Sequence, residues 1–384
     1  MNGSGSRVLT ILVAPDSFKG SLTSVEVAEA LAAGWGRARP SDDILLAPLA
    51  DGGEGTLVAI EAAGGWTWRK SRATDPIGRP ITARWLRSAD GSRAVVELAE
   101  ASGLSRLTAG ERDPRGASTV GTGELLRAAI DEGVRRITLG IGGSATTDGG
   151  AGILRALGAV VTAGGAETSG VDLSGLDPRL VEVDLRIACD VSNPLLGPAG
   201  AAATYGPQKG ASADDVTWLD AALSHYADAL EAVSGRGERE SPGAGAAGGV
   251  GFGLLCVRDR FRSLELVPGV DVVMEETDLD AKLARADLVI TGEGRIDAQT
   301  AFGKTALGVA RRAHDRGLPS IAVGGGVTPE GIDALAPLGA LVVPVVERPQ
   351  TVEEAMAAGV DPLVRCGARV ASLVGLACRD VGRR

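Results

Sequence analysis

Short apolar runs alternate with segments of helical period along most of the chain. The runs are rich in Val, Ile and Leu and are nearly continuous, as in strands that are buried on both faces of a parallel sheet. The segments between them are long enough for the helices that connect parallel strands. We therefore predict an α/β protein with mainly parallel sheets. The predicted strands are 8–14, 44–50, 137–141, 185–189, 288–291, 320–323 and 341–345, and the predicted helices are 24–37, 122–132, 153–157, 216–233 and 305–316.

This alternation breaks in the middle of the chain. From Thr74 the pattern is that of a β-hairpin with its turn at Asp90 and Gly91. A glycine-rich stretch at 234–253 has the composition of a long, mobile loop. We therefore expect two α/β domains with the active site in the cleft between them. The predicted domains are a discontinuous Rossmann-like domain, 1–72 plus 287–384, and an inserted domain, 73–286.

Length and charge limit the classes of function. The 384 residues exceed what one hydrophobic core usually spans, which agrees with two domains. The net charge of −10, without a basic cluster, argues against nucleic acid or an anionic membrane as partner. No run is apolar enough for a membrane span or a signal peptide, so we expect a cytoplasmic protein. The sequence predicts no oligomeric state.

Few residues are available for catalysis by histidine or cysteine. The four cysteines lie far apart without a CxxC pair, which disfavours a zinc site or a disulfide framework. The two histidines, His225 and His314, lie in helical patterns and are expected at the surface. Acid–base chemistry would therefore depend on carboxylates and lysines.

Acidic or glycine-rich turns follow five of the predicted strands. In open parallel sheets, ligands bind beyond the carboxyl ends of the strands, so these turns are expected to converge on one site. Each polar residue could instead be a helix cap or a solvated loop residue, and the alternatives remain open for each. The side chains singled out are Asp16, Ser17 and Lys19 after the first strand, Asp51 and Glu54 after the second, Asp190 and Asn193 in "DVSNP", and Glu293 and Asp297 in "GEGRIDAQTAFGKT".

The segment "GIGGSATTDGGAG" is the strongest candidate for a phosphate-binding loop. Its glycines allow backbone N–H groups to approach an anion, and the helix that follows adds its positive end. Asp148 could cap that helix or hold a metal. The predicted nucleotide-binding residues in this loop are Gly142, Gly143, Ser144, Thr146 and Thr147.

Two further glycine-containing matches are weaker. "FGKT" (302–305) lacks the first glycine of a P-loop, because Ala298 stands there. Even so, Gly303, Lys304 and Thr305 open a predicted helix where a phosphate could bind. "GAGAAG" (243–248) matches a dinucleotide fingerprint but does not follow a strand, which makes it chance glycine richness.

Several acidic residues beside a phosphate loop favour a Mg²⁺–nucleotide site. The chain also contains four long motifs, which begin "APDSFKGSL", "PLADGGEGT", "GIGGSATTDGG" and "ITGEGRIDAQT". With these motifs in this order, it resembles the bacterial glycerate kinases of glyoxylate and sugar-acid breakdown. The resemblance extends from Val8 to the C-terminal helix. The resemblance implies a two-domain α/β enzyme that phosphorylates (R)-glycerate with ATP and Mg²⁺. It favours the 2-hydroxyl as acceptor, giving 2-phosphoglycerate, with the 3-hydroxyl as the alternative.

The resemblance also suggests roles for the polar residues of the turns. Phosphoryl transfer depends mainly on positioning and charge neutralisation, so few histidines are no handicap. A nicotinamide-dependent oxidoreductase and a non-catalytic sugar-acid binding protein are the less favoured alternatives. The predicted roles are catalysis for Asp16, Lys19 and Asp190, glycerate binding for Ser17, Asp51, Glu54 and Asp297, and metal binding for Asp148 and Glu293.

Overall fold

A computed structural model describes residues 7–50, 52–53, 55–164, 167–298, 300 and 305–380. Within these residues the chain forms 13 strands. The strands are Thr10–Pro15 (β1), Asp43–Leu46 (β2), Trp66–Thr74 (β3), Pro80–Ser88 (β4), Arg93–Glu97 (β5), Arg136–Gly140 (β6), Val160–Gly164 (β7), Glu167–Asp172 (β8), Asp184–Ala188 (β9), Ser263–Val267 (β10), Leu288–Ile296 (β11), Ser320–Val327 (β12) and Leu341–Pro344 (β13).

Fourteen α-helices and several short 3-10 turns connect the strands. Among the residues that the structure describes, no helix is both long and apolar enough to cross a membrane. The helices are Ser24–Ala38 (α1), Thr56–Ala62 (α2), Ala99–Ser102 (α3), Val120–Asp131 (α4), Ala151–Ala156 (α5), Ala201–Tyr205 (α6), Ala213–Ser234 (α7), Ala246–Cys256 (α8), Gly269–Glu276 (α9), Leu279–Leu283 (α10), Thr305–His314 (α11), Pro329–Leu335 (α12), Val352–Ala357 (α13) and Asp361–Asp380 (α14).

The chain divides into two compact units. Unit 1 consists of residues 1–50, 58–64 and 273–384, and unit 2 consists of residues 51–57 and 65–272. The domain bounds expected from the sequence, after residues 72 and 286, lie C-terminal to the breaks at 64/65 and 272/273. The placement of the active site in a cleft stays a prediction.

Unit 1 contains a five-stranded sheet in the order β13-β12-β11-β1-β2, and every pair in it is parallel. Its core is aliphatic, with Ile11, Val13 and Ile290 buried against α1 and α14. Glycine allows these two helices to meet at their backbones, because a Cβ on Gly34 would lie 2.0 Å from the carbonyl oxygen of Val364. The parallel arrangement places the carboxyl ends of β1 and β11 at the same edge.

Unit 2 contains a six-stranded sheet in the order β10-β9-β6-β5-β4-β3. The pairs among β10, β9, β6 and β5 are parallel, whereas β4 pairs antiparallel with both β5 and β3. The hairpin expected around Asp90 and Gly91 is therefore confirmed as β4–β5. A separate antiparallel pair, β7 and β8, completes the unit. The predicted α/β class with mainly parallel sheets is confirmed.

The glycine-rich stretch 234–253 differs from its prediction as a mobile loop. Its second half lies in α8, which has a left-handed kink at 247–249, and Val250 and Phe252 after the kink are fully buried in the core of unit 2. The glycines there serve close packing, since a Cβ on Gly251 would lie 2.1 Å from the carbonyl oxygen of Gly243. Glycine also permits the positive φ of Gly248 and Gly249, so these residues serve a fixed, buried kink, which composition alone does not distinguish from a mobile loop.

Candidate active site

Two buried carboxylates lie at the same level of neighbouring strands in unit 1, one directly after β1 and one within β11. Pro15 of β1 pairs with Gly292 of β11, and each is followed by an acidic residue, Asp16 and Glu293. Both side chains are buried, at 8% and 6% exposure. The parallel register therefore brings together two of the predicted site residues at one edge of the sheet.

Threonine hydroxyls and a backbone N–H fix the two carboxylates. Asp16 accepts a hydrogen bond from the Ser17 N–H at 2.6 Å and one from the Thr305 hydroxyl at 2.7 Å. Glu293 accepts a hydrogen bond from the Thr300 hydroxyl at 2.9 Å. Thr305, predicted to bind nucleotide, thus directs its hydroxyl at Asp16 from the first turn of α11. Donors to a carboxylate stabilise its charged form and hold its orientation.

A tight turn carries Lys19 beside Asp16. The backbones of Phe18 and Leu22 exchange two hydrogen bonds across the turn, and Gly20 has the positive φ of +81° that closes it. Gly294 of β11 allows this segment to approach the strand, because a Cβ there would lie 3.2 Å from the Cα of Phe18. Lys19 is exposed at the turn, as a residue that binds a small anion must be.

The other predicted residues of unit 1 have less defined surroundings. Ser17 is half-buried, and Asp297 is half-buried with Arg295 at 3.2 Å. Gly303 and Lys304, predicted to bind nucleotide, and Asp51 and Glu54, predicted to bind glycerate, lie outside the described residues.

The loop 142–148 follows β6 in unit 2 and presents backbone N–H groups. Gly142 is half-buried and Gly143 is exposed, with a φ of +73°. Among the residues that the structure describes, no acceptor lies within hydrogen-bonding distance of either N–H. A Cβ on Gly142 would lie 2.5 Å from the Cα of Gly53, so this glycine is required where the loop meets the "DGG" segment. Unpaired N–H groups in succession form a concave anion site.

The hydroxyls of the same loop point inward. Ser144, Thr146 and Thr147 are all buried, and the Ser144 and Thr146 hydroxyl oxygens lie 3.1 Å apart. The Thr147 hydroxyl is buried and has no hydrogen-bond partner in the described part of the chain. The nucleotide-binding role predicted for these three side chains stays a prediction, while the glycine N–H groups are the accessible donors.

Asp148 has the hydrogen bonds of a helix cap. Its carboxylate accepts from the N–H groups of Thr119 at 2.8 Å and of Gly150 and Gly152 at 3.1 Å each, and also from the Thr119 hydroxyl. These bonds join the start of α4 to the start of α5. This geometry corresponds to the capping alternative, and the predicted metal role of Asp148 stays a prediction.

Asp190 follows β9 at the same end of the sheet of unit 2. Its side chain is exposed and accepts a hydrogen bond from the N–H of Gly269 at 2.8 Å, at the start of α9. The neighbouring Asn193 is engaged by the Tyr205 hydroxyl at 2.7 Å and by the carbonyl of Ala199. Asp190 is therefore placed where a ligand could reach it, although its catalytic role stays a prediction.

Comparison with known proteins identifies the family. The sequence pattern that defines the glycerate kinase family matches residues 11–375. A glycerate kinase of Bacillus subtilis is 45% identical over 85% of this chain and 89% of its own length. The glycerate 2-kinase of Escherichia coli K12 is 40% identical over 97% of this chain and all of its own. The chain belongs to the glycerate kinase family.

A solved structure agrees with this membership. The crystal structure of a protein assigned as glycerate kinase 2 from Salmonella typhimurium LT2 superposes with a TM-score of 0.83, at 40% sequence identity. The match covers 97% of this chain and 100% of the other. The resemblance to glycerate kinases is thus confirmed, and this family member is a kinase.

Two elements of this glycerate kinase family member were missed in the sequence. Lys209 is 2% exposed, and its ammonium contacts the loop 142–148. The stretch 245–249 packs on the same loop, because a Cβ on Gly248 would lie 2.0 Å from the carbonyl oxygen of Thr146. Neither follows a predicted strand, whereas the site residues predicted from the sequence lie in turns after such strands. The "GAGAAG" match stays a chance match, since a turn precedes it.

We call the sheet edge of unit 1 that carries Asp16 and Glu293 the acidic edge. Its side chains fit a magnesium ion better than the loop 142–148 of unit 2 does. Mg²⁺ is bound in kinases by one or two carboxylates together with substrate phosphates. Asp16 and Glu293 provide two such carboxylates on adjacent strands, since Asp16 follows β1 and Glu293 lies in β11. Within the described ranges, no three acidic, histidine or cysteine residues form a metal cluster. The donor set fits an ion that obtains its remaining ligands from phosphate and water.

Proposed function

We propose that this family member transfers the terminal phosphoryl group of ATP to the 2-hydroxyl of (R)-glycerate, giving 2-phosphoglycerate. The observation that carries the choice of hydroxyl is the Escherichia coli relative, a glycerate 2-kinase whose entire length matches this chain. The substrate class follows from the family to which the chain belongs.

Asp16 is the proposed proton acceptor and orienting group for the attacking hydroxyl. Its carboxylate is held by the Ser17 N–H and the Thr305 hydroxyl, so its orientation is set before the substrate binds. A carboxylate positioned in this way is the usual partner of the acceptor hydroxyl in phosphoryl transfer. Proton transfer to Asp16 accompanies formation of the new O–P bond.

Lys19 is the proposed partner of the glycerate carboxylate. It is exposed on a turn that Gly20 closes, directly after Asp16. An ammonium beside a small carboxylate forms a charge-assisted pair that orients the acid. Ser17 and Asp297 are proposed to contact the hydroxyls of glycerate from the same edge, and the same role is kept for Asp51 and Glu54.

The backbone N–H groups of Gly142 and Gly143 are proposed to bind phosphate oxygens of ATP. Within the described part of the chain their N–H groups have no hydrogen-bond partner, and the glycines leave no Cβ between backbone and ligand. Such groups stabilise the charge that shifts toward the leaving ADP during transfer. Lys304 is proposed to assist at the start of α11, and Asp190 to contact the ligand from its own loop.

Glu293 would hold Mg²⁺. The Thr300 hydroxyl donates to Glu293 and orients this buried carboxylate. When bound, the ion supplies neutralisation of phosphate charge.

Two linked measurements test this function. The purified protein is assayed for ADP release with ATP, Mg²⁺ and either enantiomer of glycerate, and the product is identified by phosphorus NMR. We expect ADP release with the (R)-enantiomer and the resonance of 2-phosphoglycerate. A 3-phosphoglycerate resonance would overturn the proposed position, and the absence of ADP release with both enantiomers would overturn the kinase activity.

A further inference from the structure

Lys209 is a buried lysine behind the loop 142–148. It closes a short 3-10 turn, Pro207–Lys209, and its side chain is 2% exposed. The ammonium donates to the carbonyl oxygen of Thr146 at 2.5 Å and to the Ser144 hydroxyl oxygen at 3.3 Å. Neither acceptor carries a formal charge, so these bonds do not neutralise the ammonium. A buried charge without a bonded counter-charge is costly and needs an explanation.

The charge state of Lys209 is sensitive to its surroundings. Burial lowers the pKa of Lys209 to about 7, and the nearby charge of Asp148 opposes this shift. Among the described residues, two further titratable groups lie on neighbouring segments: Tyr226 of α7 lies beside Gly149, and the Arg112 guanidinium donates to the carbonyl oxygen of Gln208. At neutral pH the ammonium is therefore only partly populated.

The loop is held from two sides. Ser144 donates to the carbonyl oxygen of Ala247 at 3.3 Å, and Gly149 donates to that of Gly248 at 3.0 Å. Ala247 has a φ of +53°, a conformation that is strained for a residue with a Cβ. Lys209 binds the same part of the loop, through the Ser144 hydroxyl and the Thr146 carbonyl oxygen. Its two bonds thus fix the segment that follows Gly142 and Gly143.

We propose that Lys209 is a positioning residue for nucleotide binding: its ammonium holds the loop 142–148 so that the Gly142 and Gly143 N–H groups stay available to phosphate, and it places a positive charge behind that phosphate. This inference rests on the proposed binding of ATP phosphates by the loop. Lys209 acts through the loop and does not contact the ligand.

Replacement of Lys209 separates this role from a purely structural one. Lys209→Met retains the length of the stem and removes the charge, so the Kd for ATP should rise about tenfold or more. The Kd for glycerate should change less than about twofold, since the bonds of Lys209 lie within unit 2. The matched control is Lys282→Met, because Lys282 is half-buried and also donates to two backbone carbonyls, those of Leu46 and Ala63, in unit 1. This control should leave ATP binding unchanged.

Wild-type protein provides a second measurement that does not depend on the folding of a variant. Phosphate binding favours the charged form of Lys209 and raises its pKa, so at pH 8 ATP binding should be accompanied by proton uptake. Titration calorimetry of Mg²⁺–ATP in two buffers of different ionisation enthalpy gives the number of protons. We expect uptake of a substantial fraction of one proton with ATP, and none in Lys209→Met if this variant folds.

The outcomes distinguish this inference from the proposed function. Loss of ATP affinity in Gly143→Val with wild-type affinity in Lys209→Met would overturn the role of Lys209 and leave the loop as the phosphate site. Wild-type affinity in both variants would overturn the phosphate loop itself. ATP binding without proton uptake by the wild-type protein, or an equal loss of affinity in Lys209→Met and Lys282→Met, would also overturn the role of Lys209.

Discussion

The acidic edge of unit 1 and the loop 142–148 of unit 2 present different kinds of functional group. At the acidic edge, the functional groups are side chains, Asp16 and Glu293, which hydroxyls hold in place. At the loop, the side chains turn inward and the backbone N–H groups of two glycines remain available. Carboxylates suit a metal ion and a proton, whereas backbone N–H groups suit an anion. We infer that the acidic edge serves chemistry and the loop serves phosphate binding.

The largest effect is expected for Asp16→Asn. The amide keeps the size of the side chain but cannot accept the proton of the hydroxyl, so kcat should fall by ~10²–10⁴-fold with little change in ATP binding. Steady-state kinetics with ATP and glycerate measure this. Asp43→Asn, at an exposed position of β2, is the control and should retain wild-type kinetics. A kcat within threefold of wild type in Asp16→Asn would remove Asp16 from catalysis.

A large effect on nucleotide binding is expected for Gly143→Val. The substitution covers the backbone N–H groups and strains a φ of +73°, so the Kd for ATP should rise about tenfold or more. Gly133→Val is a matched control, because Gly133 has a similar φ of +84° before the opposite end of β6 and open space around it. Calorimetric titration with ATP is the measurement. Equal losses in the two variants would indicate backbone strain alone.

A smaller effect is expected for Thr305→Val. This near-isosteric change removes the hydrogen bond to Asp16 and leaves α11 intact, so kcat should fall about fivefold, the worth of one hydrogen bond. Thr305→Ser keeps the hydroxyl and should restore most of the rate. If Thr305→Val and Thr305→Ser have the same kcat, the Thr305 hydroxyl does not position Asp16.

The last effect concerns stability rather than activity. The pKa of Lys209 is lowered to about 7 in the folded protein from 10.5. Between these pH values the unfolded chain binds more protons, so this residue makes the free energy of unfolding rise with pH, by at most about 1.4 kcal/mol per pH unit. Below pH 7 the destabilisation is complete and constant. Denaturant unfolding of wild type and Lys209→Met from pH 6 to 10 should give curves that converge as the pH rises, and parallel curves would contradict this.

The acidic edge could be predicted from the sequence because its signal is local. Asp16 and Glu293 each follow a run of buried apolar residues, and parallel pairing brings the two strand ends together. The strand β11 continues to Ile296, beyond its predicted end at residue 291, because Gly292 fits against β12, where a Cβ would lie 2.4 Å from the carbonyl oxygen of Val323. A glycine that seemed to end the strand is thus part of it.

The support of the loop could not be predicted because its signal is not local. Lys209 is 63 residues from Thr146 in the chain, and nothing near Lys209 indicates burial. The glycines of 234–253 favoured a mobile loop, although most residues from Val250 to Cys256 are apolar and buried. Only the packing shows that Gly248 must lack a Cβ. A site made of backbone atoms depends on such distant neighbours.

The division of tasks between acidic edge and loop is tested most directly by binding each ligand alone to two variants. Calorimetry gives the Kd of ATP and of glycerate for Lys19→Met and Gly143→Val. We predict that Lys19→Met weakens glycerate binding about tenfold, as expected for the loss of a charge-assisted pair, and leaves ATP binding unchanged. Gly143→Val should show the reverse pattern. Weakening of both ligands to the same extent in either variant, or exchange of the two patterns, would contradict the account.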